Sequence, residues 1–400
     1  MKPPSDPSLP PAIAQLPQRA PELQDLLTRW CNQNSGSENP AGLAAMLDLL
    51  HGAFARLPGA KLERLPLAGT SAQALRVKVR PAAPVQLLFS GHYDTVYGKT
   101  DPFQACTLLA PDRLRGPGVI DMKGGLVVML AALEAFEPTP SAAQVGYEVL
   151  VNPDEEIGSF GAAPLFADAA GRHRLGLVFE PARPSGDLVQ SRKGTGNFTV
   201  TSRGRAAHAA SAKQDGRNAI AALAEFLTAA NRLPAEMPGV LFNIGLIRGG
   251  GPATNVVPDF AEAVLDVRIT HLAERAAVEA RLTGLLAPLN AREGFRLELG
   301  GGFNRPPMEA TPVTEKAFAA WQQCGRDLGQ APVTWVHAGG ASDANNLSAA
   351  GLPCLDGLGP VGDRLHSPDE WVHLPSLTAR AQVAALFLHR LAAGEFALPA

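Results

Sequence analysis

A chain of 400 residues is too long for one ordinary hydrophobic core, so we expect two domains. Its 46% hydrophobic and 18% charged residues are typical of a soluble globular protein. The formal net charge is −3 and the lysines and arginines are scattered, so there is no electrostatic reason to expect nucleic acid or an anionic membrane as a partner.

The amino-terminal residues 1–21 are rich in proline and predict a flexible arm. They lack the apolar stretch of roughly 7–15 residues that a secretory signal contains. The longest apolar run, residues 126–133, is far shorter than the ~20 residues that span a bilayer. The cysteines are widely spaced and form no C-x-x-C pair, so we expect neither disulfides nor a cysteine metal site. This pattern fits a reducing, cytoplasmic location.

After this arm, helical and strand patterns alternate along the first half of the chain. Apolar residues at helical spacing predict helices over residues 22–30, 41–57 and 124–136. Short apolar runs predict buried strands over residues 75–79, 85–89, 147–151 and 175–179. Strands that alternate with helices are typical of an α/β layered domain.

From about residue 196 the pattern changes. Strands are predicted over residues 197–203, 240–247, 260–270 and 294–299, and helices over 218–230 and 272–289. The resulting order, βαββαβ, is ferredoxin-like. We therefore expect a smaller α+β domain over residues 195–303, inserted between two parts of the first domain at 1–194 and 304–400.

Side chains that carry chemistry follow several strands of the first domain. His92 and Asp94 come directly after the strand at 85–89, and side chains two positions apart on an extended segment point the same way. They emerge at a carboxyl end of the sheet, where open α/β sheets place their ligands. Further acids and one imidazole occur at Asp121, Glu155, Glu156, Glu180 and His366.

Taken singly, these residues have simpler explanations. A histidine at a strand end is more often structural, and an acidic pair such as Glu155-Glu156 is usually solvated. Their joint occurrence favours a metal site, because crowded carboxylates repel one another and a cation compensates them. Imidazole and carboxylate ligands without cysteine suit Zn²⁺, with Mn²⁺ or Co²⁺ as replacements.

Six motifs extend this pattern along the chain. They are G-H-Y-D-T-V (91–96), G-P-G-V-I-D-M-K-G-G (116–125), P-D-E-E-I-G-S (153–159), F-E-P (179–181), G-R-A-A-H-A (204–209) and G-G-A-S-D-A (339–344). Together with His366, they resemble the motifs of the M20 dinuclear zinc peptidases, in particular the glutamate carboxypeptidase and acetylornithine deacetylase branch. The resemblance implies a zinc-peptidase-like layered catalytic domain and an inserted ferredoxin-like domain that serves as lid and dimer interface.

The resemblance also implies a role for each residue of the metal site. Five ligands would bind two zinc ions: Asp121 between both, His92 and Glu180 on one ion, and Glu156 and His366 on the other. Asp94 would orient the His92 imidazole without binding the metal itself. Glu155 would be the general base that moves a proton from the attacking water to the leaving amine. Spacing alone does not decide which of the two neighbouring glutamates is the base.

Five further positions are expected on the substrate side. His208 would donate to the oxyanion, often from the partner subunit of a homodimer, whereas as a bare residue it is a surface-loop histidine. Asn255 would approach the same site. Arg268 is a candidate clamp for a substrate carboxylate, with a strand-surface ion pair as the alternative. Gly340 and Ser342 would offer backbone N–H groups to the substrate.

The expected activity is hydrolysis of an amide bond next to a carboxylate-bearing amino acid, by a metal-bound hydroxide, in a small peptide or an N-acyl amino acid. A glutamate carboxypeptidase leads, and an N-acyl amino acid deacetylase is the alternative. A non-catalytic metal-binding protein that retains the fold is the alternative from another class. A phosphate-binding loop is disfavoured because Lys123 is followed by Gly124 rather than by Ser or Thr. A serine hydrolase is disfavoured because no G-x-S-x-G segment occurs.

Overall fold

The computed structural model describes residues 9–398, except for the side chains of residues 211–213. The chain forms two compact units. The first contains the described residues up to Ser191, Ala310–Ala338, and the residues from Ser342 onward. The second contains Arg192–Glu309 and Gly339–Ala341, where the sequence predicted an insertion over 195–303. None of the helices within residues 9–398 combines the length and the apolarity that crossing a membrane requires.

The elements are numbered in chain order. The α-helices are α1 (Pro11–Ala14), α2 (Ala20–Asn32), α3 (Pro40–Phe54), α4 (Lys123–Phe136), α5 (Ala163–Ala170), α6 (Ala212–Asp215), α7 (Ala219–Ala230), α8 (Leu233–Glu236), α9 (Glu274–Asn290), α10 (Pro312–Asp327), α11 (Asp343–Ala349) and α12 (Pro375–Ala393). Short 3₁₀ helices are Leu16–Arg19, Ala142–Gln144 and Ala209–Ser211.

The strands are β1 (Lys61–Pro66), β2 (Gln73–Val79), β3 (Val85–His92), β4 (Thr107–Ala110), β5 (Arg113–Arg115), β6 (Val145–Asn152), β7 (Leu175–Val178), β8 (Leu188–Arg192), β9 (Gly194–Arg203), β10 (Leu241–Gly249), β11 (Phe260–Ile269), β12 (Arg296–Arg305), β13 (Trp335–Ala338), β14 (Cys354–Asp356), β15 (Gly362–Asp363) and β16 (Trp371–His373). Every helix and strand predicted from the sequence is present, with ends that shift by a few residues.

The first unit is built on an eight-stranded sheet in the order β1-β2-β6-β3-β7-β14-β8-β13. Its centre, from β6 to β14, is parallel. Strands β6 and β7 are buried along their whole length, which explains their near-continuous apolar sequences. His92, the last residue of β3, is in register with Asn152, the last residue of β6. The carboxyl ends of these strands therefore meet at one edge, and the α/β class predicted for this domain is confirmed.

A second sheet of the same unit, in the order β15-β16-β5-β4, was not predicted. Its strands contain only two to four residues, which is too short for hydrophobic periodicity to be visible. Strand β16 pairs antiparallel with β5, so that Trp371 lies opposite Arg115. This pairing brings the segment that carries His366 beside the segment that leads to Asp121.

The amino-terminal segment differs from the flexible arm that its prolines predicted. From Pro11 onward it is largely helical, and the side chains of Ile13 and Leu16 are completely buried. The prolines stand in the first turns of the helices, where a missing N–H costs no hydrogen bond. Burial of the two apolar side chains therefore decides the conformation. Residues 1–8 of the expected arm lie outside the described residues.

The second unit has the predicted ferredoxin-like order, β9-α7-β10-β11-α9-β12. Its four-stranded antiparallel sheet has the order β10-β11-β9-β12. Side chains of β11 alternate between buried and half-buried, as in a strand with one face on a core. Strand β10 lies at the edge of the sheet and is exposed along most of its length.

Candidate metal centre

One group of candidate ligands lies buried at the carboxyl edge of the large sheet. Nε2 of His92 is 3.2 Å from Oδ1 of Asp121 and 3.8 Å from Oε1 of Glu180. All three side chains are buried. His92 ends β3 and Glu180 follows β7, so two neighbouring parallel strands position two of the three ligands.

The second group shares Asp121 with the first. Nε2 of His366 is 3.1 Å from Oδ2 of Asp121 and 3.1 Å from Oε2 of Glu156. In each group the potential ligand atoms lie within 4.8 Å of one another. The two oxygens of Asp121 therefore face two different imidazoles, as a carboxylate that bridges two cations must do. The structure brings all five predicted ligands together in the two predicted sets.

Asp94 connects the first group to the segment that follows β6. Its Oδ1 is 3.2 Å from Nδ1 of His92, the ring nitrogen opposite the ligand position. The same carboxylate accepts hydrogen bonds from the backbone N–H groups of Glu155 and Glu156, each at 3.2 Å. One carboxylate therefore fixes the ring of a ligand and the backbone of the next ligand.

The electrostatics of the two groups favour bound positive charge. Hydrogen bonds to Asp121 and Glu156 raise the pKa of His366 to about 11. Burial, reinforced by the Asp121 carboxylate, raises the pKa of Glu156 to about 7. Burial would also raise the pKa of Asp121, but hydrogen bonds from His366 and His92 outweigh it and hold that pKa below its usual value. Burial opposes protonation of His92, yet its hydrogen bonds to Asp121 and Asp94 raise its pKa.

These donors fit two divalent cations. Three carboxylates and two imidazoles offer only oxygen and nitrogen, a mixture that Zn²⁺, Co²⁺ and Mn²⁺ all accept, so the donors alone do not select among these ions. The first group is buried, whereas 53% of the His366 side chain is exposed. The second group is therefore open to solvent, and a catalytic site needs such an opening for water and substrate.

Glu155 belongs to neither group of candidate ligands. Its backbone N–H donates to Asp94 and its carbonyl accepts from the N–H of Gly158. It is half-buried and directly precedes the ligand Glu156. The backbone of Glu155 is thus held next to a candidate ligand, and its role as general base stays a prediction.

Two supporting residues were missed by the sequence analysis. The Ser37 hydroxyl donates to Oδ2 of Asp94 at 2.8 Å. Glu370 is completely buried and accepts hydrogen bonds from the backbone that leads to Asp121. Ser37 had no signal beyond its place in a loop. Glu370 had one, because it is an acid four residues after His366.

The second unit contains the predicted residues His208, Asn255 and Arg268. His208 and Asn255 lie on neighbouring segments, since Val256 bridges to His208 and the N–H of Ala209 donates to the carbonyl of Asn255 at 2.8 Å. Arg268 forms an ion pair with Asp266 at 3.0 Å, and its Nη1 donates to the carbonyl of Gly339 at 2.7 Å. The strand-surface ion pair considered for Arg268 is therefore present.

The predicted role of Ser342 needs correction. Its backbone N–H donates to Oδ1 of Asn345, and its hydroxyl oxygen accepts from the N–H of Ala344. Ser342 is thus the buried N-cap of α11, and its N–H is not available to a substrate. Gly340, in the second unit, accepts a hydrogen bond at its carbonyl from Arg192.

Comparisons with known proteins agree with this geometry. Carboxypeptidase G2 from Pseudomonas sp. (strain RS-16) is 26% identical over 388 residues, which cover 94% of this chain and 90% of that protein. Succinyl-diaminopimelate desuccinylase from Methylobacterium sp. (strain 4-46) is 30% identical over 325 residues, or 74% of this chain and 78% of that protein. A solved tripeptidase from Staphylococcus aureus superposes with a TM-score of 0.77 at 20% identity and covers 94% of this chain and 99% of that chain.

The family model described as peptidase family M20/M25/M40 matches residues 88–390. This range includes all five candidate ligands, Asp94 and Glu155. The expectation of an enzyme is confirmed over the non-catalytic alternative, because the family and the relatives are hydrolases. The chain belongs to peptidase family M20/M25/M40 and is a metal-dependent hydrolase.

Proposed function

We propose that this enzyme is a two-metal carboxypeptidase that cleaves the amide bond next to a carboxylate-bearing amino acid of the glutamate type. The observation that carries the proposal is that two groups of candidate ligands share Asp121, each facing a different oxygen of its carboxylate. Similarity to carboxypeptidase G2 over 94% of the chain supports the carboxypeptidase assignment.

The chemistry divides between the cations and the side chains. Two bound cations, which we propose to be Zn²⁺ with Co²⁺ or Mn²⁺ as replacements, would lower the pKa of water and polarise the scissile carbonyl. These cations would be held by His92, Asp121, Glu180, Glu156 and His366. Glu155 takes the proton of the attacking water and passes it to the leaving nitrogen. Asp94 keeps the His92 ring and the Glu155 backbone in place for this transfer.

On the substrate side we propose roles for four residues of the second unit. Arg268 pairs with the substrate carboxylate; its ion pair with Asp266 orients the guanidinium, and 34% of its side chain is exposed. His208 donates to the oxyanion, with Asn255 beside it. Gly340 offers its backbone N–H to the substrate.

Four exposed apolar side chains flank the ligands and the base in sequence: Val96, Ile157, Phe160 and Leu365. Between 40% and 65% of each residue is exposed. The Phe160 ring lies close to Gly158, and a Cβ atom added to Gly158 would be 2.6 Å from the Phe160 ring. Exposed apolar groups beside a catalytic site are typical of a surface that binds an apolar part of a ligand. They favour a large apolar acyl group on the substrate, and hence a carboxypeptidase over a deacetylase.

Strand β10 supports a homodimer formed through the second unit. It is an edge strand, and its side chains Leu241, Leu246 and Ile247 are exposed. An unpaired edge strand with exposed apolar side chains offers a surface with which another chain can pair. We also propose a cytoplasmic location, which is supported by the absence of disulfides among the four cysteines.

A substrate panel tests the proposal. The zinc-loaded enzyme is assayed with N-acyl glutamates whose acyl group increases from acetyl to benzoyl, and with N-benzoyl amino acids that differ in the released residue. N-acetylornithine and an N-succinyl amino acid complete the panel. We expect the highest kcat/KM for glutamate with a large acyl group. Faster cleavage of N-acetylornithine or of an N-succinyl amino acid would identify a deacylase instead. Failure to cleave any member would refute the proposal.

A further inference from the structure

Glu370 is a buried carboxylate with an unusual set of partners. Its Oε1 accepts from the backbone N–H groups of Ile120, at 2.9 Å, and Asp121, at 3.2 Å. Its Oε2 accepts from the N–H of Gly118, at 3.1 Å, and from the Tyr97 hydroxyl, at 2.7 Å. Both oxygens are thus fully used, and three of the four donors lie on the segment that ends at the shared ligand.

The backbone around Glu370 is bound to the same segment. The N–H of Gly116 donates to the carbonyl of Glu370 at 3.2 Å, and the N–H of Glu370 donates to the carbonyl of Ser367 at 3.1 Å. The Tyr97 hydroxyl also contacts the Ser367 carbonyl at 2.8 Å. Glu370 therefore joins two pieces of chain that are far apart in sequence, one leading to Asp121 and the other following His366.

From this geometry we propose that Glu370 is a positioning residue for the second metal. The second group takes two of its three ligands, Asp121 and His366, from the segments that Glu370 joins. The first group takes only Asp121 from them, because His92 and Glu180 are held at strand ends of the large sheet. Loss of the Glu370 carboxylate should therefore weaken the second metal more than the first. The proposal rests on the two-metal site but not on the identity of the substrate.

The replacement Glu370→Gln tests this most directly. It keeps the shape of the side chain but turns one oxygen into an NH₂ group, which then faces N–H or O–H donors instead of accepting from them. We expect the second zinc association constant to fall by about 10–100-fold, the effect typical of losing a residue that supports metal ligands. The first constant should change much less. Both are measured on the metal-free protein by calorimetric titration with Zn²⁺ against a competing chelator.

Glu148→Gln is the matched control. Glu148, on β6, is also a buried carboxylate of the first unit, but its partners are Arg76 and Arg172. Its replacement should lower the melting temperature and leave both zinc constants unchanged. The proposal is overturned if Glu370→Gln also lowers only the melting temperature, or if it weakens both metals equally.

If Glu370→Gln does not fold, Tyr97→Phe carries the test. It removes one of the four donors and leaves the carboxylate in place. A selective fall of a few-fold in the second zinc constant supports the proposal, whereas unchanged constants refute it. If Tyr97→Phe loses hydrolysis but binds both zinc ions as before, the positioning role is refuted and the proposed reaction is what Tyr97 affects.

Discussion

Asp94 contacts both the first ligand group and the backbone of the proposed base, Glu155. It contacts Nδ1 of His92 and accepts the backbone N–H groups of Glu155 and Glu156. A carboxylate in this position fixes the tautomer of the ligand, because Nδ1 must carry the proton that Asp94 accepts. Nε2 would then keep its lone pair for a bound cation.

Glu155→Gln should abolish most of the activity without removing the metals. A general base contributes about 10²–10⁴-fold to the rate, so we expect kcat to fall by that factor. Zinc content, measured by mass spectrometry of the dialysed protein, should be unchanged because Glu155 belongs to neither ligand group. Glu63→Gln, which changes an exposed acid on β1, is the control for loss of charge. Loss of zinc together with activity would instead make Glu155 a ligand.

Asp94→Asn should impair both functions that Asp94 connects. The amide presents an NH₂ group to one of its present donors, so the His92 ring and the Glu155 backbone are held less firmly. We expect zinc affinity of the first group, or kcat/KM, to fall by about 10–100-fold. Ser37→Ala removes only one hydrogen bond to Asp94 and should have a smaller effect. Equal effects of the two replacements would contradict this, because the contribution of Asp94 would then depend entirely on its hydrogen bond from Ser37.

Individual site residues were predictable from the sequence to different degrees. His92, with the acid two positions later, lies at the end of an apolar strand, so its placement follows from strand geometry alone. Ser37 reaches Asp94 from 57 positions away in the chain, and no local pattern encodes that contact. Ser342 was misassigned because a glycine-rich segment suggests open N–H groups, whereas a serine before a helix prefers to cap it.

At the scale of elements, the segment after β6 contains the proposed base, a candidate ligand and exposed apolar side chains. Asp154 accepts hydrogen bonds from the N–H groups of Gly161 and Ala162, which closes the segment into a compact loop. Ile157 and Phe160 project from this loop into solvent. The loop therefore combines the two candidate site glutamates and two exposed apolar side chains within nine residues of chain.

Phe160→Ser should alter the choice of acyl group rather than the chemistry. If the Phe160 ring binds an apolar acyl group, kcat/KM for N-benzoyl glutamate should fall by about tenfold or more, because a buried aromatic ring contributes over 1.4 kcal/mol. Cleavage of N-acetyl glutamate should change little. Leu49→Ser, which removes an exposed apolar side chain on α3, is the matched control. A parallel fall for both substrates would contradict an acyl-binding role.

The elements themselves were predictable where they are long and regular. Strands β3, β6 and β7 have continuous apolar sequences because both faces of their sheet are covered. The small sheet of β4, β5, β15 and β16 was not predictable, because its strands are too short to establish a period. That sheet nevertheless brings His366 towards Asp121, so the second group of candidate ligands depends on strand pairing that the sequence pattern does not show.

At the scale of the whole molecule, the sequence predicted an inserted unit because its pattern changes from buried to alternating strands. A strand of a sheet with one exposed face must alternate, as β11 does. Strand β10 departs from this rule, because it is largely exposed on both faces, and the sequence did not predict that exposure. Its composition resembles that of a core strand, yet no strand among residues 9–398 pairs with its outer edge.

Ile247→Lys on β10 should therefore dissociate the proposed dimer. A lysine on an exposed edge strand opposes pairing with another chain, because its charge would have to lose water in the interface. Sedimentation velocity should give a dimer for the unaltered enzyme and a shift towards monomer for the variant. The same lysine replacement at Leu49, an exposed apolar residue on α3 of the first unit, should leave the dimer intact. A monomeric unaltered enzyme would refute the dimer, and an unchanged dissociation constant in Ile247→Lys would place its interface on a surface other than β10.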